Sequence, residues 1–151
     1  MVHDKREELS LGSGSLADIT ADACQREAAS AAYHSAVALA LSAAGEAEGA
    51  AVLNAIADHE RATVRELSVG RAILRPRPVV SVRDLRALDQ TELLRRVEAR
   101  LDLAINHYLE VASRAADPAA ACEARALAQE KVEALGRVRK LLRSMVGRRF
   151  A

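Results

Sequence analysis

Gly70-Arg71-Ala72-Ile73-Leu74-Arg75-Pro76-Arg77-Pro78-Val79-Val80-Ser81-Val82-Arg83-Asp84-Leu85-Arg86-Ala87-Leu88 is the stretch on which the fold turns. Pro76 and Pro78 exclude helix and favour extended backbone. Val79-Val80-Ser81-Val82 has the β-branched content of a strand, but no second such run exists to pair with it. The segment therefore reads as a long crossover, with one helical turn at Asp84 to Leu88. On either side of it the chain is helical. A first helix spans about Leu16 to Ala44, with Leu16, Ile19, Ala23, Ser30, Val37 and Leu41 on its inward face. Gly45-Glu46-Ala47-Glu48-Gly49 breaks it, and a second helix follows from about Ala50 to Val69 with Leu53, Ile56, Val64 and Leu67 on one face. So short a turn makes these two helices antiparallel.

Beyond the crossover, Asp89-Gln90-Thr91-Glu92 has capping-box spacing and starts a third helix. That helix carries Leu94, Val97, Leu101, Ala104, Tyr108 and Ala112 inward and ends near Ala116. Asp117-Pro118, an acidic N-cap before a proline at the first helical position, starts a fourth. It runs to about Met145 with Ala128, Val132, Leu135, Leu142 and Met145 inward. The order is hairpin, crossover, hairpin. A crossover long enough to travel the bundle makes helix three parallel to helix two. The expected fold class is all-α: an antiparallel four-helix bundle with one long crossover between helices 2 and 3. Residues 1–15, polar and carrying Gly12-Ser13-Gly14-Ser15, read as a flexible tail. Residues 16–146 are the bundle and 147–151 a C-terminal tail.

Composition narrows the function classes. Half of the 151 residues are hydrophobic but only 2% are aromatic, so alanine and leucine supply the core. With 22 Lys+Arg against 21 Asp+Glu, no global basic field marks a nucleic-acid partner or an anionic membrane. The run from Arg137 to Arg149 has cations and no acid, and reads as a solvated last stretch of helix complementing the helix dipole. Cys24 and Cys122 make no CxxC pair, no apolar stretch approaches a membrane span, and Met1 to Glu8 lacks a signal core. The expected location is the cytoplasm. Leu39, Leu103 and Leu127 point outward on the helical wheel, so a homo-oligomer, a dimer or larger, is expected.

The polar residues inside the apolar faces hold the functional information. Ile56-Ala57-Asp58-His59-Glu60-Arg61-Ala62-Thr63 puts Glu60 at the centre of the second helix's apolar face, and Leu127-Ala128-Gln129-Glu130-Lys131-Val132-Glu133-Ala134 is its counterpart in the fourth. Both are similar to the apolar-Ala-x-x-Glu-x-x-His helices of the ferritin-like superfamily, on its rubrerythrin side. Glu27 lies 33 residues before Glu60, similar to that family's hairpin spacing, and Tyr33-His34 and Tyr108 stand where the family often has tyrosine. The resemblance covers roughly Leu16 to Met145. It implies two metals between four helices, with one Glu from each of two helices and Glu-x-x-His from each of the others.

This chain departs from that pattern. Thr63 stands in the histidine slot of helix two. Helix four has two registers: Glu130-x-x-Glu133 keeps two acids, but on the polar side of the wheel, whereas alignment of Leu127-Ala128 with Ile56-Ala57 puts Lys131 and Ala134 in the ligand slots. Lys131 falls between Ala128, Leu135 and Val138, which favours the second register. In helix three Glu98 lies at the edge of the inward face, 33 residues before Lys131, while counting back from Tyr108 gives Leu101. The expectation is a buried ionic cluster of Glu60, Lys131, Glu27 and adjacent Arg26, with no catalytic residues and no cofactor, in a ferritin-like protein that acts as a structural or partner-binding oligomer. The alternative is a reduced carboxylate site for iron or manganese using Glu27, Glu60, Glu98, Glu130 and Glu133, in an oxidoreductase or iron-handling protein. Without a Cys-x-x-Cys pair there is no rubredoxin domain, so such an enzyme would need electrons from another protein. Leu9 to Leu16 also looks faintly like the Gly-Ser-Leu targeting peptides of encapsulin cargo, which makes an encapsulin-like shell a distant partner expectation.

Overall fold

The computed structural model describes residues 14–69 and 80–151. Among them lie four long helices and one short one, and no strand: α1 Leu16–Ala43, α2 Ala47–Leu67, α3 Val82–Arg86, α4 Gln90–Arg114 and α5 Pro118–Arg149. The expected third and fourth helices are α4 and α5. The tail with its targeting-like sequence, up to residue 13, and most of the crossover, 70–79, fall outside the described residues. Val80 and Ser81 are not in a strand, and Val82 already begins α3. No helix among the described residues is long and apolar enough to cross a membrane.

Local chemistry sets the helix ends. Ser15 accepts from the Asp18 N–H, Asp89 from Thr91, and Asp117 from Ala119 with Pro118 next in line. Glu92 pairs with Arg96 at 3.3 Å, so Asp89 caps α4 without the reciprocal bond of a capping box. The α1–α2 turn is a Schellman motif: Gly45 N–H donates to Ser42 O at 3.1 Å and Glu46 N–H to Leu41 O at 2.9 Å. Gly45 has φ +81°, the left-handed conformation the motif requires. The second glycine of the turn is used differently. Gly49 lies inside α2, where an added Cβ would meet Leu41 Cδ1 at 3.3 Å, so its lack of a side chain lets α2 approach α1. Helix α5 likewise continues past Met145 to Arg149, into the expected tail, and Arg149 bonds both Asp89 oxygens at 2.8 and 3.1 Å.

Contacts at the ends fix the helix directions. The start of α1 lies beside the end of α4, with an added Gly14 Cβ 3.2 Å from Ala116 N. At the other end Gln90 Nε2 donates to Ala44 O at 3.4 Å, and Arg148 reaches Glu46 at 3.5 Å. Thus α1 and α5 run one way and α2 and α4 the other. Leu67, at the end of α2, packs near Ala23, Tyr108 and Leu127, whereas α4 begins at the opposite end, where Leu85 of α3 joins the larger core group. The chain between α2 and α4 therefore joins opposite ends of the helices.

The apolar interior has two parts. The larger groups Val37, Leu41, Leu53, Ile56, Leu94, Val97, Leu101, Leu135, Val138 and Met145, among others; the smaller is Ala23, Tyr108, Leu127 and Ala128. Three sequence expectations fail at the surface. Leu127 is 2% exposed instead of outward, while Val132 and Leu16, expected inward, are 45% and 40% exposed. Leu39 and Leu103 are exposed.

The two kinds of glycine should respond oppositely to alanine. Gly45→Ala meets no atom but must hold a Cβ at positive φ, and should lower stability by about 1–2 kcal/mol. Gly136→Ala, in the middle of α5 with nothing near its Cβ position, should raise it by about 0.4–1 kcal/mol. Urea denaturation of both variants checks the pair.

Candidate functional site

The two apolar groups are separated by a layer of polar side chains. On α1, Glu27, Ser30 and His34 follow at i, i+3 and i+7 and share one face. Glu60 enters from α2, Tyr108 from α4 and Lys131 from α5. Glu27, Glu60 and His34 are each 1% exposed and Lys131 3%. Their surroundings explain the burial. Lys131 follows Ala128 and precedes Ala134 and Leu135, and the small alanines leave room for its four-carbon stem inside the bundle.

Lys131 Nζ donates to Glu27 Oε2 at 2.5 Å and to Glu60 Oε1 at 2.9 Å. One ammonium on α5 thus bridges a carboxylate on α1 and another on α2. The remaining acceptor capacity is taken up locally. Tyr108 Oη donates to Glu27 Oε1 at 2.8 Å and Ser30 Oγ to Glu60 Oε1 at 2.9 Å. His34 Nδ1 lies 3.0 and 3.1 Å from the two Glu60 oxygens, so Nδ1 carries a proton that the carboxylate shares. Among the described residues, His34 Nε2 is buried without a partner.

These contacts separate the two acids. Burial pushes the Glu60 carboxyl up, but the hydrogen bond and charge of His34, together with Lys131, outweigh it and hold the group below its ordinary value. Glu27 lacks the histidine. There burial, aided by the charge of Glu60, outweighs Lys131 and Tyr108, and its carboxyl sits above the ordinary value. Burial disfavours the Lys131 ammonium, yet the two carboxylates within 3 Å overcome this and raise it. Burial and the neighbouring Glu27 charge push the Tyr108 phenol far up, so it acts only as a donor.

The structure brings together Glu27, Glu60 and Lys131 of the residues singled out in the sequence. Arg26 makes no bond to them: it lies half-exposed at the edge of the α1–α4 cleft and pairs with Asp22 at 2.9 Å. Of the alternative set, Glu60, Glu130 and Glu133 line one cleft between α2 and α5, while Glu27 and Glu98 are not part of it. Glu98 pairs with Arg139 at 2.8 Å, Glu130 lies 3.4 Å from His59, and Glu133 is exposed on α5. Among the described residues no three His, Cys, Asp or Glu side chains form a group suited to a metal ion. Ser30 and His34 are the members that sequence reasoning missed as ligands of Glu60. The signal was the polar i, i+3, i+7 stripe running through an alanine-rich face.

Two clefts reach this layer from opposite sides, and Lys131 lines both. One, of about 310 Å³, lies between α1 and α4 over Glu27, Ser30 and Tyr108; the other, of about 290 Å³, lies between α2 and α5 over Glu60. No family model, no curated protein and no solved structure matches this chain.

Removing the ammonium should expose the weaker acid. Lys131→Met leaves two buried carboxylates unbridged and should lower stability by about 3–5 kcal/mol at neutral pH. Glu27, which keeps only Tyr108, is the acid left worse off, so adding Glu27→Gln should restore more than adding Glu60→Gln. The pH dependence follows from the directions of shift. Lys131 is raised above 10.5, so in the wild type its contribution is complete below 10.5 and is lost as pH rises through the folded value. Glu60 is lowered below 4.5, so its contribution is present above 4.5 and lost as pH falls through the folded value. Glu27, raised above 4.5, acts in the opposite sense and favours folding less as pH rises from 4.5 through its folded value. The gap between wild type and Lys131→Met should narrow toward acid pH, where Glu27 of the variant takes up a proton. Urea denaturation at acid, neutral and alkaline pH checks this, and a gap independent of pH would separate Lys131 from Glu27.

Proposed function

We propose that this chain is a ferritin-like four-helix bundle, with one long crossover between α2 and α4, in which a lysine ammonium has taken the place of metal. On this reading the protein is a non-catalytic, structural or partner-binding oligomer. The observation that carries the reading is the double contact of Lys131 with Glu27 and Glu60 midway along the helices. A bundle-centre pair of carboxylates needs positive charge, and in di-iron relatives of this architecture the metals supply it. Here a covalently attached cation supplies it, fills the space, and repels a divalent ion. The antiparallel hairpins, and the joining of opposite ends between α2 and α4, support the proposed connectivity.

The inferred ligand slots are open to restoration. Thr63 and Ala134 are buried, and Ala134 lines the α2–α5 cleft together with Glu60. The wild type should bind iron(II) or manganese(II) no better than about millimolar, with no rise in melting temperature at micromolar metal. The variant combining Lys131→Glu, Thr63→His and Ala134→His should gain metal-dependent stabilisation. Lys131→Glu alone should destabilise, since it crowds a third acid into a low-dielectric site. Melting scans with and without metal compare the three, and stabilisation of the wild type by several degrees at micromolar metal would defeat the ammonium-for-metal reading.

Exposed Leu39 and Leu103, at 58% and 70%, support the oligomer. Light scattering at micromolar concentration should give a particle of at least twice the 16.2 kDa chain mass, and a monomer would refute this part of the proposal.

A further inference from the structure

The two clefts on the ionic layer differ in charge. The α2–α5 cleft is lined by Glu60, Glu130 and Glu133 against Lys131 and Arg137. The α1–α4 cleft reverses the balance, with Arg26, Arg100 and Lys131 against Glu27 alone, and His107 beside them. Both oxygens of Glu27 are already engaged, one by Tyr108 and one by Lys131. Arg26 is shared with Asp22. Arg100 differs from them: its guanidinium lies over the Tyr33 ring, 4.0 Å from its centre, and among the described residues no carboxylate bridges it. An oriented guanidinium without an acid, at the side of a cleft with an excess of cations, is suited to the fork geometry of an oxyanion.

The floor is different in kind. Lys131 has three N–H donors, of which Glu27 and Glu60 take two. Ser30 donates to Glu60 and keeps lone pairs free. Between rim and floor the walls are Ala29, Ala104 and Leu103. The volume, about 310 Å³, is at the small end of ligand sites. We propose that the α1–α4 cleft binds a small organic oxyanion, a carboxylate or phosphate ester, whose charged end lies on Arg100 and whose hydroxyl or carbonyl end faces Lys131 and Ser30. Glu27 on the floor keeps the anionic end at the rim and gives the ligand its direction. The site goes beyond the scaffold reading, since it uses the outer side of the ionic layer and holds whether or not the bundle binds metal.

The test is calorimetric titration of the full chain at low salt with inorganic phosphate, glycerol phosphate and hydroxybutyrate. At least one organic anion should bind with Kd of roughly millimolar or tighter, and more tightly than inorganic phosphate. Which of the two does so distinguishes a phosphate ester from a carboxylate. Arg100→Gln, at an exposed position, should weaken that binding about tenfold or more while leaving the melting curve in place. Arg139→Gln, which removes a cation held by Glu98 and Asp102 outside the cleft, should leave it unchanged. Three results overturn the proposal: no saturable binding up to about 10 mM, Arg100→Gln binding as tightly as wild type, or inorganic phosphate equalling both organic anions.

Discussion

A single buried ammonium constrains everything around it. Lys131 stands on α5, yet its bonds go to α1 and α2, so it ties the second hairpin to the first through the middle of the structure. Burying three charges costs several kcal/mol per ion, and close pairing with full hydrogen bonding is what offsets it. The surrounding donors fit that requirement: Tyr108 completes Glu27, while Ser30 and His34 complete Glu60. The layer also fixes how the hairpins sit along each other. Apolar faces rich in alanine are interchangeable from one turn to the next, and could slide. Sliding by a turn would part the ammonium from its carboxylates and leave each unpaired in a low-dielectric interior, which only the observed register avoids.

The ion layer also explains why the apolar interior has two groups. On α1 the break falls between Ala23 and Tyr33, and on α5 between Ala128 and Ala134, and these gaps hold Glu27, Ser30 and Lys131, with His34 at the edge of the first. The larger group, on the side of α3 and the α1–α2 turn, contains most of the leucines. The smaller depends on Tyr108 and Leu127, with alanines filling the rest. Tyr108 therefore serves both sides, since its ring packs in the small group while its hydroxyl ends on Glu27. With so few large side chains there, the polar layer is an integral part of the packing at that end of the helices.

Much of this was legible in the residues. The cap signals at Asp89 and Asp117 located the starts of α4 and α5, because caps act through local backbone chemistry that needs no tertiary context. Glu60 stood out because it is an acid in the centre of an apolar stripe. The face of α5 was harder. Its buried positions include Ala120, Ala121, Ala124, Ala128 and Ala134, and alanine gives little contrast between inside and outside. The wheel could therefore rotate by half a position, which moved Val132 in and Leu127 out. His34 was hidden for another reason. A histidine beside a tyrosine reads as a family position, whereas its role depends on Glu60 arriving from 26 residues away. Arg26 erred in the reverse sense. Adjacency in sequence to Glu27 put it near the cluster, but one residue along a helix is a turn of about 100°, which carried it to Asp22 and the surface.

The inequality of the two acids gives the layer a direction. Glu60 accepts from three side chains and Glu27 from two, and the difference is His34. The acid with fewer donors is the one held above its ordinary value, and it faces the α1–α4 cleft. The acid with more donors is held below and faces the α2–α5 cleft. Of the two acids, Glu27 therefore takes up a proton more readily than Glu60. Lys131 would then keep Glu60 as its charged partner, so the first protonation leaves a neutral ion pair instead of an isolated charge. The same arrangement bears on the proposed exchange of metal for lysine. A metal ligand must offer a lone pair, but His34 Nδ1 spends its proton on Glu60, and both Glu27 oxygens and Glu60 Oε1 already accept from Lys131, Tyr108 or Ser30. On the proposed reading these oxygens already hold the ammonium or the donors around it, so a metal would reach them only by displacing those bonds, and His34 Nε2 alone stays outside that set.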